Sequence, residues 1–214
     1  MDLDIRERSL RRTRSQREQL DTDGKRRSRI GWLRYISALR SSARGEYIWF
    51  AADDMSDYDE VALLFGRVHI VENRSSGLEE KKRNIHHLSA VLPDKPISFN
   101  EFIRTTDTVF NGANLDFCCH FCMKIVEDLT LLFNRRRLSD EALLFMTVAD
   151  RTMASMGSDR YYNPKFSRDE INLVVKGLAI CGGYELTNLG EDINFSYKSG
   201  IYTMHTFGWC VTRK

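Results

Sequence analysis

Asp116 closes an apolar run, Thr108 to Phe117, and Cys118, Cys119, His120 and Cys122 follow at once. A carboxylate in that place can orient or deprotonate an acceptor. A neighbouring thiolate could attack an electrophilic carbon if its pKa were lowered. From Cys118 onward, however, Cys118, Cys122, Ile125, Leu129 and Leu132 recur in steps of four and three, which predicts a helix beginning at Cys118 with these residues on its buried face. A cysteine on such a face is usually a small hydrophobe, which weighs against a nucleophile. Successive helical residues point about 100° apart and cannot converge on one tetrahedral ion, so no metal site is expected. His69, His86, His87 and His205 read as core or surface residues. Two further acidic positions end short apolar runs: Glu72, with Asn73, after Val68 to Val71, and Asp53-Asp54 after Tyr47 to Ala52. In open parallel sheets such strand ends face the ligand crevice.

The elements that position these acids alternate. Strands are expected at 47–52, 68–71, weakly at 88–92, at 108–116 and at 142–148. Between them come helices near 57–65, at 77–88, a short one after 98, and one after Cys118. Ser76 with Glu79, Ser98 with Glu101 and Ser167 with Glu170 have capping-box spacing. Ile171, Val174, Val175, Leu178 and Cys181 give a last buried helical face, which Gly182-Gly183 stops. Strands at 184–186, 193–197 and 201–211 then form a hairpin around Lys198-Ser-Gly200. The fold class is α/β: a doubly wound, mostly parallel sheet with a C-terminal antiparallel hairpin. Arg135 to Arg137 sit where positive charge suits a helix end, a reading preferred over contact with a nucleic acid. Tyr161-Tyr162-Asn163-Pro164 would either cover the core edge or stack a base.

This order resembles that of class I, Rossmann-like S-adenosylmethionine-dependent methyltransferases, over residues 45–214. The resemblance implies that Glu72 holds the cofactor ribose and that Asp94 lies near the adenine. Asp116 would work where methyl transfer occurs, and Ala51, Asp53 and Asn73 would complete the cofactor contacts. Ala51-Ala-Asp-Asp-Met-Ser56 departs from the family pattern, because no glycine stands in that loop. Leu115-Asp-Phe-Cys118 also lacks the Asn/Asp-Pro-Pro-aromatic signature of amino-methylating DNA enzymes.

Charge divides the chain. Residues 1–44 carry 13 Lys/Arg against 6 Asp/Glu, while residues 45–214 carry 19 against 24. Residues 1–27 hold too few apolar side chains for a core and are expected to form a flexible basic arm. Ile30, Leu33 and Ile36 predict a docked helix over 28–44 that opens the 28–214 domain. Arg11, Arg12, Arg14, Lys25, Arg26 and Arg27 are candidates for phosphate contacts with RNA or DNA, although a solvated tail has the same composition. With no signal-peptide pattern, no apolar run of membrane-spanning length and five cysteines that suggest no disulfide framework, a cytoplasmic protein is expected. Two functions follow from the resemblance: methyl transfer to a nucleic acid, or a non-catalytic protein that keeps the fold to bind a nucleic acid or protein partner.

Overall fold

The computed structural model describes residues 23–38, 45–50, 61–85, 89–117, 119–150, 166–199 and 202–214. Each short apolar run becomes a strand: β1 Glu46–Trp49, β2 Arg67–Ile70, β3 Ala90–Val91, β4 Phe110–Asp116 and β5 Leu138–Asp150. β6 Tyr184–Asn188, β7 Ser196–Ser199 and β8 Tyr202–Arg213 complete one sheet, ordered β3-β2-β1-β4-β5-β8-β6, with β7 also paired to β8. Strands β1 to β5 pair in parallel, with Ile48 opposite both His69 and Ala113, and Leu115 opposite Met146. β8 inserts antiparallel between β5 and β6. The chain builds outward from β1 through β2 to β3, then crosses to start β4 on the other side of β1. The topological switch therefore lies between β1 and β4.

Alternation along the strands divides the core between two faces. Ile48, Ala113, Leu115, Leu144 and Met146 pack beneath α3 (Phe99–Thr105), α4 (Met123–Asn134) and α5 (Arg168–Cys181). Burial of Ile125, Leu129 and Leu132 fixes α4 there, each contributing roughly 1.5–3 kcal/mol. On the opposite face Tyr47, Trp49, Val68, Ile70, Leu143 and Phe145 meet Trp32 and Ile36 of α1 (Asp23–Ala38). Among the described residues no helix is long and apolar enough to cross a membrane.

Several expectations change. The N-terminal helix already includes Asp23, so Lys25, Arg26 and Arg27 belong to α1, and the boundary at 27/28 falls inside it. Its buried face is Gly31, Trp32 and Ile36, with Ile30 59% exposed, because the larger Trp32 ring takes the inward position. α4 starts at Met123 rather than Cys118: the Ala149 amide donates to the Cys119 carbonyl, holding that segment against the end of β5, and buried Phe121 anchors it. α2 (Ser75–Asn84) has Arg74 at its N-cap with no side-chain cap bond; Glu79 reaches forward to Lys82 at 3.1 Å, so the Ser76 capping box does not form. Ser98 does cap α3, and Ser167 with Glu170 forms the full reciprocal box on α5. Gly183, at φ +80°, makes the turn that ends α5.

β6 and β7 lie end to end along β8, separated by residues 189–195. Asn194 bridges the gap. Its amide oxygen accepts from the Gly208 N–H at 3.1 Å and its nitrogen donates to the Gly208 carbonyl at 3.2 Å and the Leu189 carbonyl at 2.7 Å.

Candidate functional site

The C-terminal ends of β2, β1 and β4 present the candidate residues side by side. Backbone pairing continues past β2, where the Val71 N–H donates to the Trp49 carbonyl, and the Ile97 N–H donates to the Glu72 carbonyl at 2.8 Å. Glu72 is thereby fixed at the strand tip and only 7% exposed. Its Oε1 accepts from the Arg74 N–H at 2.8 Å and from Arg74 Nε at 3.1 Å. Its Oε2 accepts from Arg74 Nη2 at 3.1 Å and from Lys81 Nζ at 2.6 Å. Burial pushes this carboxyl's pKa up, but the bonds from Arg74 and Lys81 outweigh it and hold the pKa at about 2. Glu72 is an anion throughout the neutral range.

Lys81 reaches Glu72 because Gly77, Leu78 and Lys81 share the buried face of α2. A side chain at 77 would collide with the carboxylate, since a Cβ there would lie 2.6 Å from Glu72 Oε2. Asn73 is exposed between β2 and α2. Asp94 is exposed on the bend after β3, in the segment that returns to Glu72 through Ile97.

Asp116 is the exposed last residue of β4, opposite Thr147 of β5. Two strand spacings, or about 10 Å, separate its strand from that of Glu72. Phe50 and Phe117, each one residue beyond its strand, flank the switch point edge to face at 5.4 Å; Phe99 meets Phe50 in the same way at 5.3 Å. Across the strand ends thus run an anionic group at Glu72, an apolar aromatic floor of Phe50, Phe99 and Phe117, and a second carboxylate at Asp116.

Sequence reasoning placed both acids at strand ends but did not foresee Arg74 and Lys81 beside Glu72, nor the aromatic floor. The matching offsets of Phe50 and Phe117 were a usable signal, as was a lysine on the apolar face of α2. Ala51, Asp53, Cys118, Arg11, Arg12, Arg14 and Tyr161 to Pro164 lie outside the described residues. Lys25, Arg26 and Arg27 are exposed on α1, away from Glu72. There Arg27 Nη2 donates to the Glu191 carbonyl at 3.0 Å, and its guanidinium lies 4.3 Å above the Phe195 ring. A cleft beside it, of about 430 Å³, is lined by Arg27, Arg168, Asn188, Glu191, Asn194 and Phe195.

No family model and no curated protein matches the sequence. Solved structures do resemble the fold. The N-methyltransferase NodS from Bradyrhizobium japonicum WM9, in complex with S-adenosyl-l-homocysteine, superposes with a TM-score of 0.57 at 11% identity, covering 89% of this chain and 88% of NodS. The Methanococcus jannaschii fibrillarin pre-rRNA processing protein gives 0.52 at 13% identity, covering 83% and 70%. PH0793 from Pyrococcus horikoshii gives 0.58 at 10% identity; 87% of this chain is covered, and it spans 64% of the length of PH0793. The chain has the methyltransferase fold: a Rossmann-like, mostly parallel sheet with antiparallel C-terminal strands.

Proposed function

We propose that the protein is an S-adenosylmethionine-dependent methyltransferase acting on a nucleic acid. The observation that carries the reading is Glu72: an ionised, nearly buried carboxylate at the tip of the second strand, beside the switch point. Its fit to a ribose can be judged from its bonds. The Arg74 N–H and Lys81 leave one lone pair on each oxygen, which a pair of vicinal hydroxyls could share; the Arg74 side chain now fills both. The acid fits the sugar once that side chain turns away. Asn73 and Asp94 are exposed, the one directly after Glu72 and the other on the bend after β3.

When bound, the cofactor supplies an electrophilic methyl group on a sulfonium. The protein's own work is then mainly alignment. Glu72 fixes the donor end, Phe50 and Phe117 keep water from the floor, and Asp116 orients the acceptor or accepts the proton that it loses. The nucleic-acid part of the reading draws on the basic residues before 45, on Lys25, Arg26 and Arg27 exposed along α1, and on the resemblance to a pre-rRNA processing protein.

Calorimetric titration with S-adenosylmethionine and S-adenosylhomocysteine tests the first part. Wild-type protein should bind both, and Glu72→Ala should weaken binding by roughly tenfold to a hundredfold, as expected for a lost charged hydrogen-bond partner. No heat at millimolar ligand would sink the enzyme reading. One observation favours the second reading, a non-catalytic binding protein on the same fold: every acceptor position of Glu72 is satisfied from within the chain. That protein would bind nucleic acid without binding the cofactor.

A further inference from the structure

We infer that Arg74 is a built-in competitor of the cofactor ribose, a side chain that occupies the place of the vicinal diol and sets the affinity of the site. The inference rests on the proposed reading of Glu72 as the ribose acceptor. Arg74 presents Nε to Oε1 and Nη2 to Oε2, both at 3.1 Å. Two donors side by side, one for each carboxylate oxygen, are also what a cis-diol offers.

The other two bonds to Glu72 have a different character. Lys81 is fully buried and reaches Oε2 at 2.6 Å, while the Arg74 N–H is fixed by the turn into α2. These partners stay in place when a ligand arrives, keeping the carboxylate charged and aimed. The Arg74 side chain is instead 58% exposed, so it can exchange its carboxylate for water at modest cost. One residue therefore plays two parts: its backbone helps to build the site, and its side chain closes it. Gly77 makes the arrangement possible, because a Cβ there would also lie 2.9 Å from Arg74 Nη2.

Removing the fork should tighten ribose binding by the strength of the displaced pair. For an exposed bidentate contact the gain is about fivefold. The experiment is calorimetric titration of S-adenosylhomocysteine into wild type, Arg74→Ala, Arg74→Lys, Glu72→Gln and the Arg74→Ala/Glu72→Gln double variant, with thermal melts to confirm folding. Arg74→Ala should bind about fivefold more tightly than wild type, and Arg74→Lys, with one ammonium in place of a fork, should fall between them. The gain should vanish on the Glu72→Gln background, because it acts through that carboxylate. If wild type binds and Arg74→Ala binds no better, or if the gain persists without Glu72, the competitor role is overturned while the cofactor reading stands. If neither wild type nor Arg74→Ala binds at millimolar concentration, both fall together.

Discussion

Glu72 links stability to pH. Its folded pKa of about 2 lies below the unfolded value of 4.5, so the native state binds this proton less readily than the unfolded chain. The resulting stability is fully present above about pH 4.5 and is lost as pH falls through about 2. By linkage it amounts to about 3 kcal/mol. Urea unfolding of wild type and Glu72→Gln at intervals from pH 6 to pH 2 should therefore show the wild-type advantage shrinking as acid is added; a constant difference would mean that the carboxylate is not held this way. The sequence showed part of this arrangement. An acid after Val68 to Val71 was plainly placed at a strand end, and Lys81 stood on a helical face otherwise occupied by Gly77 and Leu78. The fork of Arg74 was hidden, because it depends on the backbone turn that returns residue 74 to residue 72.

Among the elements, the three serine-to-glutamate spacings make a controlled comparison. Ser167 accepts the Glu170 N–H, and the Glu170 side chain accepts the Ser167 N–H at 2.6 Å, whereas Ser76 lies inside α2 and caps nothing. Ser167→Ala should cost about 1 kcal/mol, lowering the melting temperature by about 2–4 °C, while Ser76→Ala should stay within about 0.5 kcal/mol. Equal losses in thermal melts would contradict the assigned helix starts. Spacing alone could not separate these sites, since it fixes neither where the helix starts nor which neighbour takes the glutamate. At α2 the chain enters through the Arg74 turn, and Glu79 pairs with Lys82. A similar limit applies at Cys118, where helical spacing continued upstream of the real start at Met123 because it could not register the bond from Ala149 to Cys119. β4 was legible to its last residue, since its apolar run ends sharply at Asp116.

At the scale of the whole molecule, α1 joins the basic N-terminal region to the sheet. Trp32 and Ile36 are buried beneath Leu143 and Phe145, and Arg34 pairs with Asp192 at 2.7 Å. Removing residues 1–22 should preserve cooperative unfolding. Removing 1–38 should cost several kcal/mol, on the order of 4, by uncovering that core face; calorimetric melts of both truncations check it. If the chain binds RNA or DNA as proposed, truncation of 1–22 should also flatten the salt dependence of that affinity, measured by anisotropy, since each lost phosphate contact lowers the slope by about 0.7 to 0.9. An unchanged slope would place binding elsewhere. The two borders of the sheet bear on colloidal behaviour. β3 is two residues long and followed by Pro93 and Pro96, so one border offers little backbone for a second molecule to pair with. The other border is broken where β6 gives way to β7, and there the Asn194 amide satisfies both backbone groups of Gly208. The outer border is thus split into strands of five and four residues, too short a run for another chain to pair along, and the protein should resist the strand-to-strand stacking through which exposed sheets grow into fibrils.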